Sequence, residues 1–230
     1  MKRVPIENVL IIDIETASAF PNFESMDVAW KNLWYEKVKR QLTESETAAT
    51  FYGKRAAVMA EFGRIVCIGI GQCSVEKDLN VTTMLFCDSN EKQLLKNFLA
   101  ALNQLPLKQW RFAGHNIREF DIPFICRRLL IHGLPIPDCI NLQGVKPWEN
   151  PLIDTFQYWR FGDYKHFTSL ALLAKTLGLP NAKEDMDGSM VGALFWEKDP
   201  IQQALNMQRI AAYCQKDVWT TAQIVYRLMP

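Results

Sequence analysis

Three features of the 230-residue sequence predict an α/β fold built on a mixed sheet. Val9-Leu10-Ile11-Ile12-Asp13-Ile14 is a near-continuous apolar run, as expected of a central strand covered on both faces. Arg64 to Ile70 and Val81 to Phe86 follow as strand-like segments in hairpin succession, with a polar turn between them. The rest of the chain alternates one short strand with stretches of helical period.

Taken in order, the first strand ends near Ile14, and the character changes between Phe20 and about Phe62. There Trp30, Leu33, Trp34 and Val38 recur at helical spacing with Lys31, Lys37, Lys39 and Arg40 between them. One or two helices inserted after the first strand are expected over about 20–62. After the hairpin, Ser89 is expected to cap a helix with Leu94, Leu95, Phe98, Leu99 and Leu102 on its apolar face. Lys92 stands where a capping box would want Glu. Arg111 to Gly114 reads as a short strand, and Ile122 to Ile131 as a helix ended by Gly133 and Pro135. Residues 134–151, rich in Pro, Asn and Gly, read as a surface loop. Helical pattern returns from Ser169 to Leu177, closed by Gly178, and a last helix runs from about Ile201 to Leu228. With no repeat, low-complexity tract or linker, residues 1–230 are expected to form one domain.

Composition narrows the class. No apolar run approaches the roughly 20 residues of a membrane helix, and the N-terminus turns polar too early for a signal peptide. A cytoplasmic location is therefore expected, with no membrane partner. The six cysteines form no C-x-x-C pair and, beside only three histidines, argue against structural zinc; most read as reduced core residues. Twenty-six basic residues against 25 acidic ones leave a net charge of +1. That speaks against a wide duplex footprint but is compatible with a narrow groove for a short single strand.

Three acidic motifs carry the chemistry. In Asp13-Ile14-Glu15-Thr16 the carboxylates are two apart on a strand, so they share a face. An ionised pair at the end of an apolar strand is costly unless something cationic neutralises it, although two exposed groups past a strand end would look alike in sequence. Asn116-Ile117-Arg118-Glu119-Phe120-Asp121 brackets a strand-to-helix turn, where Asp121 could equally be a cap and Asn116 a turn residue bonding its own backbone. Tyr213 and Asp217, four apart in the last helix, share one face. That helix buries a stripe through Met207, Ile210, Cys214, Val218, Ala222 and Val225, which leaves Asp217 at the core's edge.

In this order, D-x-E, N-x-x-x-F-D and Y-x-x-x-D resemble the three-motif signature of the DEDD 3′–5′ exonucleases. The tyrosine-bearing branch is the nearest, and within it the proofreading domain of family B DNA polymerases. Thr168 to Leu179 is similar to the S-L-x-x-L-A-x-x-L-G-L helix of such enzymes, and Lys183 to Ser189 to a loop of stand-alone members. The branch with a catalytic histidine places it five residues before the last Asp, where this chain has Ala212. His115 and His166 are accordingly expected to be structural.

The resemblance implies a ribonuclease-H-like mixed five-stranded sheet flanked by helices. It also implies two Mg2+ or Mn2+ ions about 3.5–4 Å apart. Asp13 would be shared by both, Glu15 and Asp217 would complete one site, and Asp121 would serve the other. Tyr213 would orient the attacking water, while Thr16, Asn116 and Phe120 would place the terminal nucleotide. The implied partner is the 3′ end of single-stranded nucleic acid, DNA before RNA. No polymerase sequence follows the motifs, so a separate polymerase or repair partner is expected if the chain proofreads. Aromatic residues beside basic ones suit a frayed single strand: Trp30, Trp34, Tyr35, Phe51 and Tyr52 near Lys54 and Arg55, and Tyr164-Lys165-His166-Phe167. Most of these are expected to be packing residues instead. The alternatives are an exoribonuclease of the same fold and a binding module with a silenced site.

Overall fold

The computed structural model describes residues 4–105, 110–180 and 186–229. Its centre is a mixed five-stranded sheet in the order β3-β2-β1-β4-β5, flanked by helices on both faces. The strands are β1 (Val9–Ser18), β2 (Gly63–Val75), β3 (Leu79–Cys87), β4 (Arg111–Gly114) and β5 (Ile153–Asp154). β1, β2 and β3 run antiparallel, whereas β4 and β5 add to β1 in parallel. β1, β2 and β3 extend beyond their predicted bounds because hairpin pairing continues through the polar residues at their ends. β5 is two residues long, too short for any periodicity to reveal it.

Alternation along β1 divides the interior. Leu10, Ile12 and Ile14 face α3 (Glu91–Leu102) and α4 (Asp121–Ile131) and join the largest core with Leu94, Phe98 and Phe124. Val9 and Ile11 face α8 (Pro200–Leu228) and pack with Val218, Ala222 and Val225. α8 begins under two start signals, an Asp199 cap accepting from the Gln202 amide and Pro200 in its first turn. It can lie close on the sheet because β2 carries glycine at 69 and 71. A Cβ at Gly69 would come within 2.8 Å of Val218 and 2.9 Å of Cys214, and one at Gly71 within 2.6 Å of Val218.

The insertion contains two helices, α1 (Val28–Val38) and α2 (Ala48–Arg55). They close on a small aromatic core of Trp34, Phe51, Tyr52 and Phe62, with the Trp34 and Phe62 rings edge-to-face at 4.9 Å. Trp30 packs edge-on against Phe62 at 5.5 Å. These rings are therefore packing residues, as expected. Among the described residues, three short α-helices lie between β5 and α8: α5 (Thr155–Arg160), α6 (Leu170–Thr176) capped by Ser169, and α7 (Val191–Phe195).

One expectation needs correction. The cap of α3 is Asn90 rather than Ser89; its side chain accepts from the Gln93 amide, while the Ser89 carbonyl accepts from Arg64. Cys67 and Cys87 lie opposite one another across β2 and β3 and are joined as a disulfide. Cys73, Cys126, Cys139 and Cys214 are free. Of the loop read over 183–189, residues 183–185 lie outside the described residues.

On the α3 side, buried Glu91 ties the elements together. It accepts from the Ile65 amide at 2.7 Å, from Arg128 Nε at 2.8 Å and Nη2 at 2.5 Å, and it meets His132 Nε2 at 2.8 Å. Arg128 Nη1 also donates to the Ala60 carbonyl at 2.8 Å. Burial would raise the Glu91 carboxyl, but the Arg128 fork and the other donors hold it below the usual glutamate value.

Candidate active site

Strand alternation puts Asp13 and Glu15 on the α8 face of β1, continuing the row of Val9 and Ile11. Asp13 pairs in register with Gly69, the residue whose missing side chain admits Cys214 of α8. The Cys214 thiol consequently reaches Asp13, 3.7 Å from Oδ2 and 3.7 Å from its carbonyl oxygen. Just beyond, the β1–β2 register shifts between Glu15 and Thr16, a bulge of the kind that re-aims side chains at the edge of a site. Thr16 is buried there.

Asp121 arrives from the other side of β1. β4 pairs with β1 only as far as Ile11 and Ala113, so the β1 edge beyond needs another partner. Asp121 supplies it at the start of α4, its Oδ1 accepting from the Ile14 amide at 3.2 Å. The loop before it is built on Asp154, which is fully buried and accepts from the amides of Asn116, Arg118, Phe156 and Gln157. Asn116 adopts a left-handed conformation at φ 62°, and its buried side-chain oxygen makes no hydrogen bond. Strain together with an unsatisfied buried acceptor is characteristic of positions held for a ligand. Phe120 lies partly buried at the rim of the main core, its ring 5.5 Å from Phe124.

From α8, Tyr213 and Asp217 complete the arrangement. Both are half-buried, one turn apart, flanking the stripe of Ile210, Cys214 and Val218. The structure thus brings the other three motif carboxylates toward Asp13. The ligand atoms of Asp13, Glu15 and Cys214 all lie within 4.8 Å of one another, a spacing able to hold a metal ion.

Electrostatics mark this cluster as unusual. Burial, followed by the charges of Glu15, Asp121 and Asp217, pushes the Asp13 carboxyl well above its ordinary value, and the Cys214 hydrogen bond opposes them. Burial likewise raises Asp121 to about 7, against two backbone hydrogen bonds and with a further push from Asp154. The Cys214 thiol is raised by burial and by Asp13, Glu15 and Asp217, so it stays protonated. Hard carboxylate oxygens whose charges repel one another in a buried place suit Mg2+ or Mn2+; a protonated thiol is no ligand for either.

Sequence reading missed two of these contributors. Cys214 was legible only as a member of the buried stripe, and Asp154 belongs to the two-residue β5. His115 is structural: its ring nitrogens meet the Thr155 hydroxyl and the Thr168 carbonyl, each at 2.8 Å. Burial lowers its pKa, favouring the neutral ring. His166 is exposed and bonds Asp163.

A family model described as a predicted 3′–5′ exonuclease related to the exonuclease domain of PolB matches residues 58–229. No curated protein sequence matches the chain. Among solved structures, the family B DNA polymerase from the hyperthermophilic archaeon Pyrobaculum calidifontis superposes with a TM-score of 0.58 at 13% identity. That match covers 95% of this chain but 24% of the polymerase, so the likeness is one of fold, over about a quarter of the polymerase's length. The RNase domain of the yeast Pop2 protein matches 91% of this chain and 76% of its own at 12% identity. Its TM-score of 0.41 gives it no weight here.

Proposed function

The chain belongs to the family of predicted 3′–5′ exonucleases related to the exonuclease domain of PolB, and from that premise we propose that it hydrolyses single-stranded DNA from the 3′ end with two divalent metal ions. The observation carrying this reading is the convergence of Asp13, Glu15, Asp121 and Asp217 from β1, α4 and α8, with Asp13 driven toward neutrality by burial and by the other three. Carboxylates gathered at such a cost serve a cation more readily than a core.

When bound, Mg2+ or Mn2+ would supply the charge that activates water and stabilises the leaving oxygen. Asp13, on which the other three carboxylates bear, would be shared between the ions. Glu15 and Asp217 would complete one site and Asp121 the other. Tyr213 would hold the attacking water in line by a hydrogen bond; an ordinary phenol, titrating near 10, is better suited to orienting water than to taking its proton. Asn116 would offer its unsatisfied oxygen to the terminal nucleotide, with Thr16 at the strand end and the Phe120 ring beside it. DNA is placed before RNA because of the relation to the PolB domain, and the same residues would serve an exoribonuclease. The site residues follow the tyrosine-bearing branch, with Ala212 where the other branch has histidine.

The test is digestion of end-labelled DNA and RNA oligonucleotides with magnesium, manganese or chelator. Stepwise shortening of single-stranded DNA from the 3′ end, abolished by chelator, is expected, and circular DNA should resist. Faster loss of RNA would transfer the reading to an exoribonuclease. Cleavage inside the circle, or cleavage that persists in chelator, would overturn it.

A further inference from the structure

The connection between α5 and α6 carries three aromatic side chains that the fold leaves in solvent. Phe161 is 91% exposed, Tyr164 78% and Phe167 64%. Phe161 also closes α5 in the left-handed region, at φ 45° and ψ 34°, with Gly162 following at φ 90°. A bulky side chain is costly in that conformation, and an exposed ring returns nothing to the core. Both costs fall on one residue, directly before a glycine that would bear the same geometry without strain.

The neighbouring groups show what the rings are arranged to meet. The Arg160 guanidinium lies 4.1 Å from the centre of the Tyr164 ring and 3.9 Å from Glu119. Phe167 leans on Phe156 at 5.0 Å and on His115 at 6.3 Å, and its carbonyl neighbour Thr168 is held by His115. Gln157 also donates to Glu119. The segment is therefore fastened to the stretch 115–119, which leads directly into Phe120 and Asp121. Gly162, Asp163, Lys165 and His166 separate the rings, so they make discrete faces rather than one apolar patch. A protein partner seeks a continuous apolar surface, whereas successive bases need separate faces with cations between them.

We propose that Phe161, Tyr164 and Phe167, with Arg160 and Lys165, form a stacking platform for the single strand 5′ of the terminal dinucleotide. The inference rests on the exonuclease reading. It also accounts for the near-neutral charge of the chain, 26 basic residues against 25 acidic. Affinity for a single strand must then come from stacking more than from phosphate contacts.

The experiment measures binding of a fluorescent twelve-residue oligothymidylate in chelator, alongside hydrolysis of a thymidine dinucleotide with manganese. Phe161→Gly and Tyr164→Ser should each weaken binding by at least about fivefold, with Tyr164→Phe restoring it and dinucleotide hydrolysis unchanged throughout. Phe161→Gly should melt at the wild-type temperature or above it, because it relieves the left-handed strain; a merely structural ring would lower it. Raising salt from about 50 to 200 mM should weaken wild-type binding by less than about tenfold, the slope of one or two phosphate contacts. Wild-type affinity in both ring variants, with hydrolysis intact, overturns the platform alone and assigns the surface to a protein partner. Absence of both hydrolysis and binding in the wild type overturns the exonuclease reading as well.

Discussion

Glu91 and the Asp13–Asp121 cluster are both carboxylate sites within the fold, and they are solved in opposite ways. Glu91 has its cation built in: Arg128 grips both oxygens, His132 adds a third contact, and the carboxyl is held below its ordinary value. Asp13 and Asp121 are raised, and among the described residues the main influences on them are burial and other carboxylates, opposed by the Cys214 hydrogen bond at Asp13 and two backbone hydrogen bonds at Asp121. A chain able to place Arg128 against Glu91 could have neutralised Asp13 likewise. That it gathers more carboxylates there instead points to a cation brought from outside. On the proposed reading, one site is finished by folding and the other by loading.

The sharpest way to break this contrast is by activity. Asp13→Asn should abolish nucleotide release, while its melting temperature in chelator should match or exceed that of the wild type, since a repelling charge has been removed. Turnover near the wild-type rate would dissolve the distinction. At the finished site the reverse holds. Glu91→Gln should lower stability by about 3–5 kcal/mol, because Arg128 is left buried without its counter-charge. Denaturant titration would show it, and a loss under about 1 kcal/mol would mean the pair is not a staple.

The two sites should also respond to pH with opposite signs. Glu91 titrates lower when folded than its ordinary 4.5, so its contribution is present above that value and fades as pH falls through the folded one. Asp121 moves from 3.8 to about 7, so its contribution is present below the lower value and fades as pH rises through the upper. In chelator, Asp121→Asn should therefore gain stability relative to wild type between about pH 5 and pH 8, while the Glu91→Gln deficit stays constant. Parallel curves for Asp121→Asn and wild type would show that Asp121 does not titrate there.

How legible these sites were follows from how local their signals are. Asp13 and Glu15 announce a shared face by strand alternation, and Tyr213 and Asp217 by helical spacing, so both pairs could be placed before any fold was known. The sheet was legible for the same reason wherever strands were long; the two-residue β5 was not. Glu91 carries no mark of its own, because its meaning depends on Arg128 and His132, 37 and 41 residues away. Asp154 and Cys214 are alike: each reads as local until tertiary contact brings Asn116 or Asp13 against it. Ser89 and Asn90 are both good caps by type, and only the backbone geometry chose between them.

The central claim, that the Asp13 cluster is completed by a divalent cation, is tested most directly by thermal melting at about pH 8 with and without manganese. A ligand that binds only the folded state adds about 2.7 kcal/mol at a hundredfold excess over its Kd. The wild type should therefore melt at a clearly higher temperature with manganese, and Asp13→Asn should show little or none of that rise. An equal rise in both proteins would place the metal elsewhere and contradict the account.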